Sequence, residues 1–219
     1  MPGRFITFEG IEGCGKTTQL GLLRGWMEGA GLPVRATREP GGTALGGDLR
    51  HVLLAPRAEE VSPLAELFLY EADRAQHVAQ VIRPALEAGE NVLCDRFFDS
   101  TTAYQAFGRG LPEDWVQELN RRATGGLDPD LTFLFGTPTE EGLRRARGGE
   151  GEGGDRLEGE SLEFHNRVRE GFVEIARREP ERFRLIPAGS IDEVHARVLE
   201  AVEKEFGWAG DSSKARTRP

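Results

Sequence analysis

Apolar residues along this chain recur at two spacings, and the switches between them outline its elements. The run Arg4–Phe8 is short and apolar, stops at Glu9-Gly10, and is followed from Lys16 to Glu28 by helical spacing at Leu20, Leu23 and Met27. This predicts a strand, a glycine loop and a helix. Four more strands are predicted over Pro33–Thr37, Asn91–Asp95, Leu131–Phe135 and Phe183–Ile186. Helical patterns cover Leu45–Leu54, Ser62–Ala88, Pro112–Ala123, Thr139–Arg147, Glu158–Arg178 and Ile191–Phe206. The fifth of these puts Leu162, His165, Val168, Phe172 and Ile175 on one face, and the last does the same for Ile191, Val194, Val198 and Val202. Strands alternating with helices imply parallel pairing through right-handed crossovers, and nearly continuous apolar strands imply a sheet covered on both faces. The expected class is α/β.

Composition narrows the function. The chain has 219 residues, 38% hydrophobic and 30% charged, enough for one domain with a sizeable core, expected over residues 1–208. Acidic residues outnumber basic ones by 37 to 28, so the average surface repels a phosphate backbone and nucleic acid is not an expected partner. Any phosphate must therefore meet a local cluster of cations. No apolar run approaches the ~18–20 residues that span a bilayer, and no leader pattern opens the chain, so no membrane partner is expected. Cys14 and Cys94 have no framework or metal spacing, which fits a reducing cytoplasm. The glycine-rich stretch 148–154 reads as a mobile loop, and 209–219 as a disordered tail.

Chemistry concentrates in a few places. Residues Gly10-Ile11-Glu12-Gly13-Cys14-Gly15-Lys16-Thr17 satisfy G-x-x-x-x-G-K-[ST] between a strand and a helix. A loop wrapping a phosphate chain must turn its N–H groups inward with no Cβ in the way, and the following helix adds its positive end. Lys16 would reach the β- and γ-phosphates and Thr17 would hold Mg²⁺. Asp95-Arg96 closes the third predicted strand, where a carboxylate can reach Mg²⁺ directly or through water and an arginine can bridge the phosphates of two substrates. Arg38-Glu39-Pro40-Gly41-Gly42-Thr43 makes a tight loop at the carboxyl edge of the sheet, where open α/β folds bind ligands. Arg50 and Arg74 lie in helical patterns, where arginines are usually solvated.

Four blocks in order resemble one family. Phe8–Thr18, Thr37–Thr43, Ala72–Val78 and Asp95–Gln105, with weaker similarity through Asp128–Thr132 and Asp155–Glu158, resemble the bacterial type of thymidylate kinase, in the phosphate-loop nucleoside-monophosphate kinase group. The resemblance implies a three-layer α/β/α fold on a five-stranded parallel sheet, a mobile lid over about 144–156, and a homodimer. It also implies the reaction ATP + dTMP → ADP + dTDP with Mg²⁺. Gly10, Ile11, Glu12, Gly13, Cys14, Gly15, Lys16, Thr17 and Thr18 would bind ATP. Arg38, Arg50 and Arg96 would grip the acceptor phosphate, Glu12 the deoxyribose 3′-hydroxyl, and Arg74 the thymine O4 with Tyr70 stacked on the base. Ser100, Thr101, Tyr104 and Gln105 would complete the dTMP pocket, and Glu39-Pro40 would be cis. Lys16, Asp95, Arg96 and a lid arginine would be catalytic. That arginine is expected to be Arg147, with Arg145 and Arg156 as alternatives, because the arginine run of some relatives is shortened here.

Two other readings remain at this point. A deoxynucleoside kinase would phosphorylate a hydroxyl and need a general base, yet an uncharged acceptor gives Arg38, Arg50 and Arg96 nothing to neutralise. A GTP-dependent switch would carry Asn-Lys-x-Asp, which the sequence lacks.

Overall fold

The computed structural model describes residues 2–56, 58–148 and 156–208, with Arg147 described by its backbone alone. The glycine-rich residues 149–155, the Arg147 side chain and residues 209–219 lie outside the described part. Five strands, β1 (Phe5–Glu9), β2 (Val34–Arg38), β3 (Asn91–Asp95), β4 (Leu131–Gly136) and β5 (Phe183–Pro187), form one parallel sheet in the order β2-β3-β1-β4-β5. The central strands β1, β3 and β4 are buried almost throughout, whereas at the edges β5 mixes buried and open positions and β2 has only half-buried and exposed ones, as position in the sheet requires. The order places the carboxyl end of β1 between those of β3 and β4, and Phe8 is in register with Asp95 and with Phe133. That register brings the residues after β1 beside those that close β3.

Helices α1 (Lys16–Gly29), α2 (Ala44–Leu54), α3 (Pro63–His77) and α4 (Arg83–Glu87) follow the predicted spans closely. The predicted Ser62–Ala88 helix is one continuous rod with a π-helical stretch at Val78–Ile82, where the Arg83 N–H reaches back to the Val78 carbonyl. Pro84 has no N–H to keep the ordinary ladder there. An element absent from the sequence reading is α5 (Phe98–Thr101), which continues as π-helix through Thr102–Gly108. Nearly every residue from Asp99 to Ala106 is buried, so this segment has no polar face and no amphipathic period to detect. Helices α6 (Glu113–Thr124), α7 (Thr139–Arg147), α8 (Leu162–Arg178) and α9 (Ile191–Phe206) complete the layers. The eighth starts four residues later than its period suggested, because Ser161 caps it through the Phe164 N–H at 3.2 Å.

One core links α1, α8 and α9 to β1 and β4 through Leu23, Phe8, Phe133, Phe172 and Val198, and a second packs Phe5, Val92 and Phe97 with Val78 and Ile82. Among the described residues no helix is long and apolar enough to cross a membrane.

Candidate active site

The loop after β1 takes its shape from glycines at positive φ: Gly10 at 134°, Gly13 at 65° and Gly15 at 97°. At Gly13 the requirement is steric as well, since a Cβ would lie 2.0 Å from the Gly142 carbonyl oxygen. Helix α7 thus sits directly against the phosphate loop. Lys16 begins α1 and its ammonium donates to the Ile11 and Gly10 carbonyls at 2.7 and 3.0 Å, with the Cys14 sulfur at 3.5 Å. Thr17 donates from Oγ1 to Asp95 Oδ2 at 2.6 Å, joining α1 to the end of β3.

Arg96 follows at φ 71°, the only non-glycine residue with positive φ among those described. An L residue pays roughly 1–2 kcal/mol for that conformation. It aims the guanidinium across the site. Nη1 donates to the Gly10 carbonyl and Ser100 Oγ, both at 2.9 Å, and Nη2 to Glu12 Oε1 at 3.1 Å and the Tyr104 hydroxyl at 3.3 Å. Tyr104 donates its own proton to Glu12 Oε1. Burial would raise the Glu12 carboxyl, but His165, the charges of Arg96 and Lys16, and Tyr104 outweigh it and hold Glu12 well below the usual carboxylate range. Beneath them Glu9, fully buried, accepts from the Phe97 N–H at 2.7 Å and Ser100 Oγ at 2.6 Å. Burial, reinforced by Asp99, pushes its carboxyl up to about 8.

Arg74, on α3, is also buried, and four of its five N–H groups are engaged. Nε donates to Glu39 Oε2 at 2.9 Å, Nη1 to Glu71 Oε1 at 3.1 Å and Asn120 Oδ1 at 3.0 Å, and Nη2 to Thr101 Oγ1 at 2.9 Å. Glu39 is fixed in turn by His77 Nδ1 at 2.8 Å, whose Nε2 lies 2.6 Å from Thr37 Oγ1. The Glu39-Pro40 peptide is cis, as the resemblance implied, and the Pro40 carbonyl accepts from Arg50 Nη1 at 2.9 Å. Asp73, pushed up to about 6 by burial and by Glu39, receives the Gly41 N–H at 3.1 Å.

A cavity of about 330 Å³, within the range of small-molecule sites, collects these groups. Glu12, Gly13, Lys16, Thr17, Arg38, Arg50, Tyr70, Arg74, Asp95, Arg96, Ser100, Thr101, Tyr104 and Gln105 all line it. Gly10, Ile11, Cys14 and Gly15 form the loop behind it, and Thr18 is exposed on the first turn of α1. Two of the lid candidates stand elsewhere. Arg145 is exposed and paired with Glu141 on its own helix. Arg156, expected at the donor, instead binds Glu66 Oε2 and the Leu53 carbonyl, 3.0 Å away, against α2 and α3. Fully buried Glu66 attracts it, since that carboxylate also takes Arg109 at 3.0 Å and Gln105 at 2.8 Å. Leu157 and Glu158, in the weaker block of the resemblance, also line the cavity, whereas roles for Glu66 and His165 were missed, because no motif spacing marks them and their partners Arg156 and Glu12 are remote in sequence.

A family model described as thymidylate kinase matches residues 8–198. The chain belongs to the thymidylate kinase family. A protein of that name from Desulfosudis oleivorans is 52% identical over 206 residues, 91% of this chain and 96% of the relative. Another from Gloeobacter violaceus is 53% identical over 200 residues, 91% of this chain and 94% of the relative. The crystal structure of thymidylate kinase from Ehrlichia chaffeensis superposes with a TM-score of 0.75 at 34% identity, covering 93% of this chain and 100% of that one. The family's α/β fold on a five-stranded parallel sheet is therefore the fold of this chain.

Proposed function

We propose that this chain transfers the γ-phosphoryl group of ATP to dTMP, giving dTDP, as a nucleoside-monophosphate kinase. The observation that carries the reading is that one cavity is lined both by Lys16 and Thr17 of the phosphate loop and by Arg38, Arg50 and Arg96. Three arginines suit a phosphate dianion as acceptor, which is strongly hydrated and needs several fixed cations. With a second pKa of about 6 that phosphate is itself an anionic nucleophile at neutral pH, so no general base is required. The chain's task is positioning and charge stabilisation of an in-line transfer.

Lys16 holds the donor phosphates, and Arg96 reaches both donor and acceptor. Thr17 Oγ1 and Asp95 Oδ2 are hard oxygen donors 2.6 Å apart at the foot of the loop, a set that suits Mg²⁺, directly or through water at Asp95. Bound there, Mg²⁺ would supply charge neutralisation at the phosphate oxygens. Arg74 keeps one Nη2 hydrogen for the thymine O4, and Tyr70, one turn earlier, stacks on the base. Ser100, Thr101, Tyr104 and Gln105 line the nucleoside, and Glu12 accepts the 3′-hydroxyl. Residues 144–156 act as the lid that excludes water, within one domain over 1–208. Arg147, whose side chain lies outside the described residues, is our choice for the clamp on the donor, while Arg156 anchors the far end of the lid through Glu66.

Leu45 on α2 and Leu64 and Phe68 on α3 are exposed, and Phe68 retains half of its surface. These two packed helices are the proposed face of a homodimer. Both cysteines are free thiols, in keeping with a reducing cytoplasm.

The test is ADP release from ATP and Mg²⁺ with dTMP, dUMP, dCMP, dAMP, UMP, AMP and thymidine as acceptors. Strong preference for dTMP is expected. Turnover of thymidine in place of dTMP would overturn the phosphate-acceptor reading.

A further inference from the structure

We propose that His165 is a positioning residue that fixes Glu12 for recognition of the sugar 3′-hydroxyl. The inference rests on the proposed role of Glu12. His165 lies on the apolar stripe of α8 between Phe164 and Val168, is fully buried, and meets the Phe164 ring edge-on at 5.4 Å. A histidine in such a stripe ordinarily satisfies both ring nitrogens through neighbouring groups. Here neither nitrogen has a regular hydrogen bond among the described residues. Nδ1 stands 3.4 Å from Glu12 Oε2, and that oxygen is buried and equally without a regular partner. Two unsatisfied groups, 153 positions apart in sequence, thus face each other at the wall of the nucleotide cavity. Hydrogen bonds at reacting sites are often long before ligand binds and tighten afterwards.

The competition for Arg96 shows why Glu12 needs this partner. Its Oε1 is held by Arg96 and Tyr104. An acceptor phosphate draws the Arg96 guanidinium toward itself, which leaves Glu12 with Tyr104 on Oε1 and His165 on Oε2. An Nδ1–H donated to Oε2 then keeps the carboxylate plane fixed while Oε1 turns its free lone pair to the incoming hydroxyl. Without His165 the carboxylate can rotate, and an interaction that depends on its direction is lost.

The experiment compares dTMP with 2′,3′-dideoxythymidine 5′-monophosphate, which lacks only the hydroxyl in question. The readout is the ratio of their kcat/KM values in the full-length enzyme. Glu12→Gln should lower this ratio. His165→Leu should lower it by about tenfold, the scale of a hydrogen bond to a charged group, through KM for dTMP, with the dideoxy substrate changed less than about twofold. Asparagine places an amide N–H where Nδ1 stands and glutamine places one where Nε2 stands. His165→Asn should therefore keep the ratio within about threefold of the native value, and His165→Gln should not. Equal losses on both substrates with His165→Leu, or rescue by glutamine in place of asparagine, would overturn the proposal and leave the reading of Glu12 intact. An unchanged ratio in Glu12→Gln would overturn both. Should the variants fail to fold, ¹⁵N spectra of the native protein decide. The His165 Nδ1 is expected to carry a hydrogen and to shift more on binding dTMP than on binding the dideoxy compound, and an Nδ1 without hydrogen, or equal shifts, would refute the idea.

Discussion

Lys16 is held by two carbonyls of its own loop, so its charge is already centred where donor phosphates would lie. Lys16→Ala should lower kcat by about 10²-fold or more, while the Kd for dTMP, measured by calorimetry, stays within about threefold. Normal turnover in that variant would refute the role. Glu9 shows a different consequence of burial. Its carboxyl titrates near 8 in the folded protein against 4.5 for the free side chain, so between those values the folded state holds a proton that the unfolded chain has lost. Stability contributed by this site is full below about pH 4.5, falls as pH rises toward about 8, and is level above. Thermal melts from pH 5 to 9 should show this decline, and Glu9→Gln, which cannot ionise, should flatten it. The spacing of the phosphate loop made Lys16 and Thr17 readable in the sequence, because there a local turn is the mechanism. Glu9, Glu66 and His165 could not be read in that way, since a carboxylate or imidazole acquires its role from whatever burial brings next to it.

Among the elements, α3 does most to organise the proposed acceptor side of the cavity. Tyr70 and Arg74 face the cavity from it, His77 secures Glu39, and Glu66 takes Arg109, Arg156 and Gln105 one turn before Tyr70. The amphipathic period was enough to find this helix, but its tie to the segment after residue 155 depends on a buried carboxylate meeting an arginine 90 positions away. Glu66→Gln leaves the largely buried Arg156 guanidinium short of a counter-charge and Arg109 with Glu160 alone, and should cost about 3 kcal/mol in urea unfolding. Amide exchange at residues 156–161 should rise with it, and unchanged protection there would show that Glu66 does not anchor the lid base. The Thr102–Gly108 segment illustrates the opposite limit. It carries Tyr104 and Gln105 into the site, yet burial on nearly all sides removes the polar face by which helices are recognised.

At the scale of the molecule, the excess of acid over base, nine charges, leaves the cavity arginines as a local positive site on a chain that otherwise repels phosphate. The exposed apolar residues on α2 and α3 are the proposed dimer face. Phe68→Asp should convert a dimer to a monomer in sedimentation equilibrium, and an unchanged mass would place the contact elsewhere. Sequence alone determined the alternation of strands and helices and the phosphate loop, because period and glycine placement are local properties of the chain, whereas the arginines proposed for the acceptor phosphate came from the family resemblance. Tertiary structure decided the strand order that sets Asp95 beside Thr17, the seat of Arg156 on Glu66, and the meeting of His165 with Glu12. Those depend on contacts between residues far apart in the chain, which exist only once burial has fixed which side chains share a low-dielectric interior.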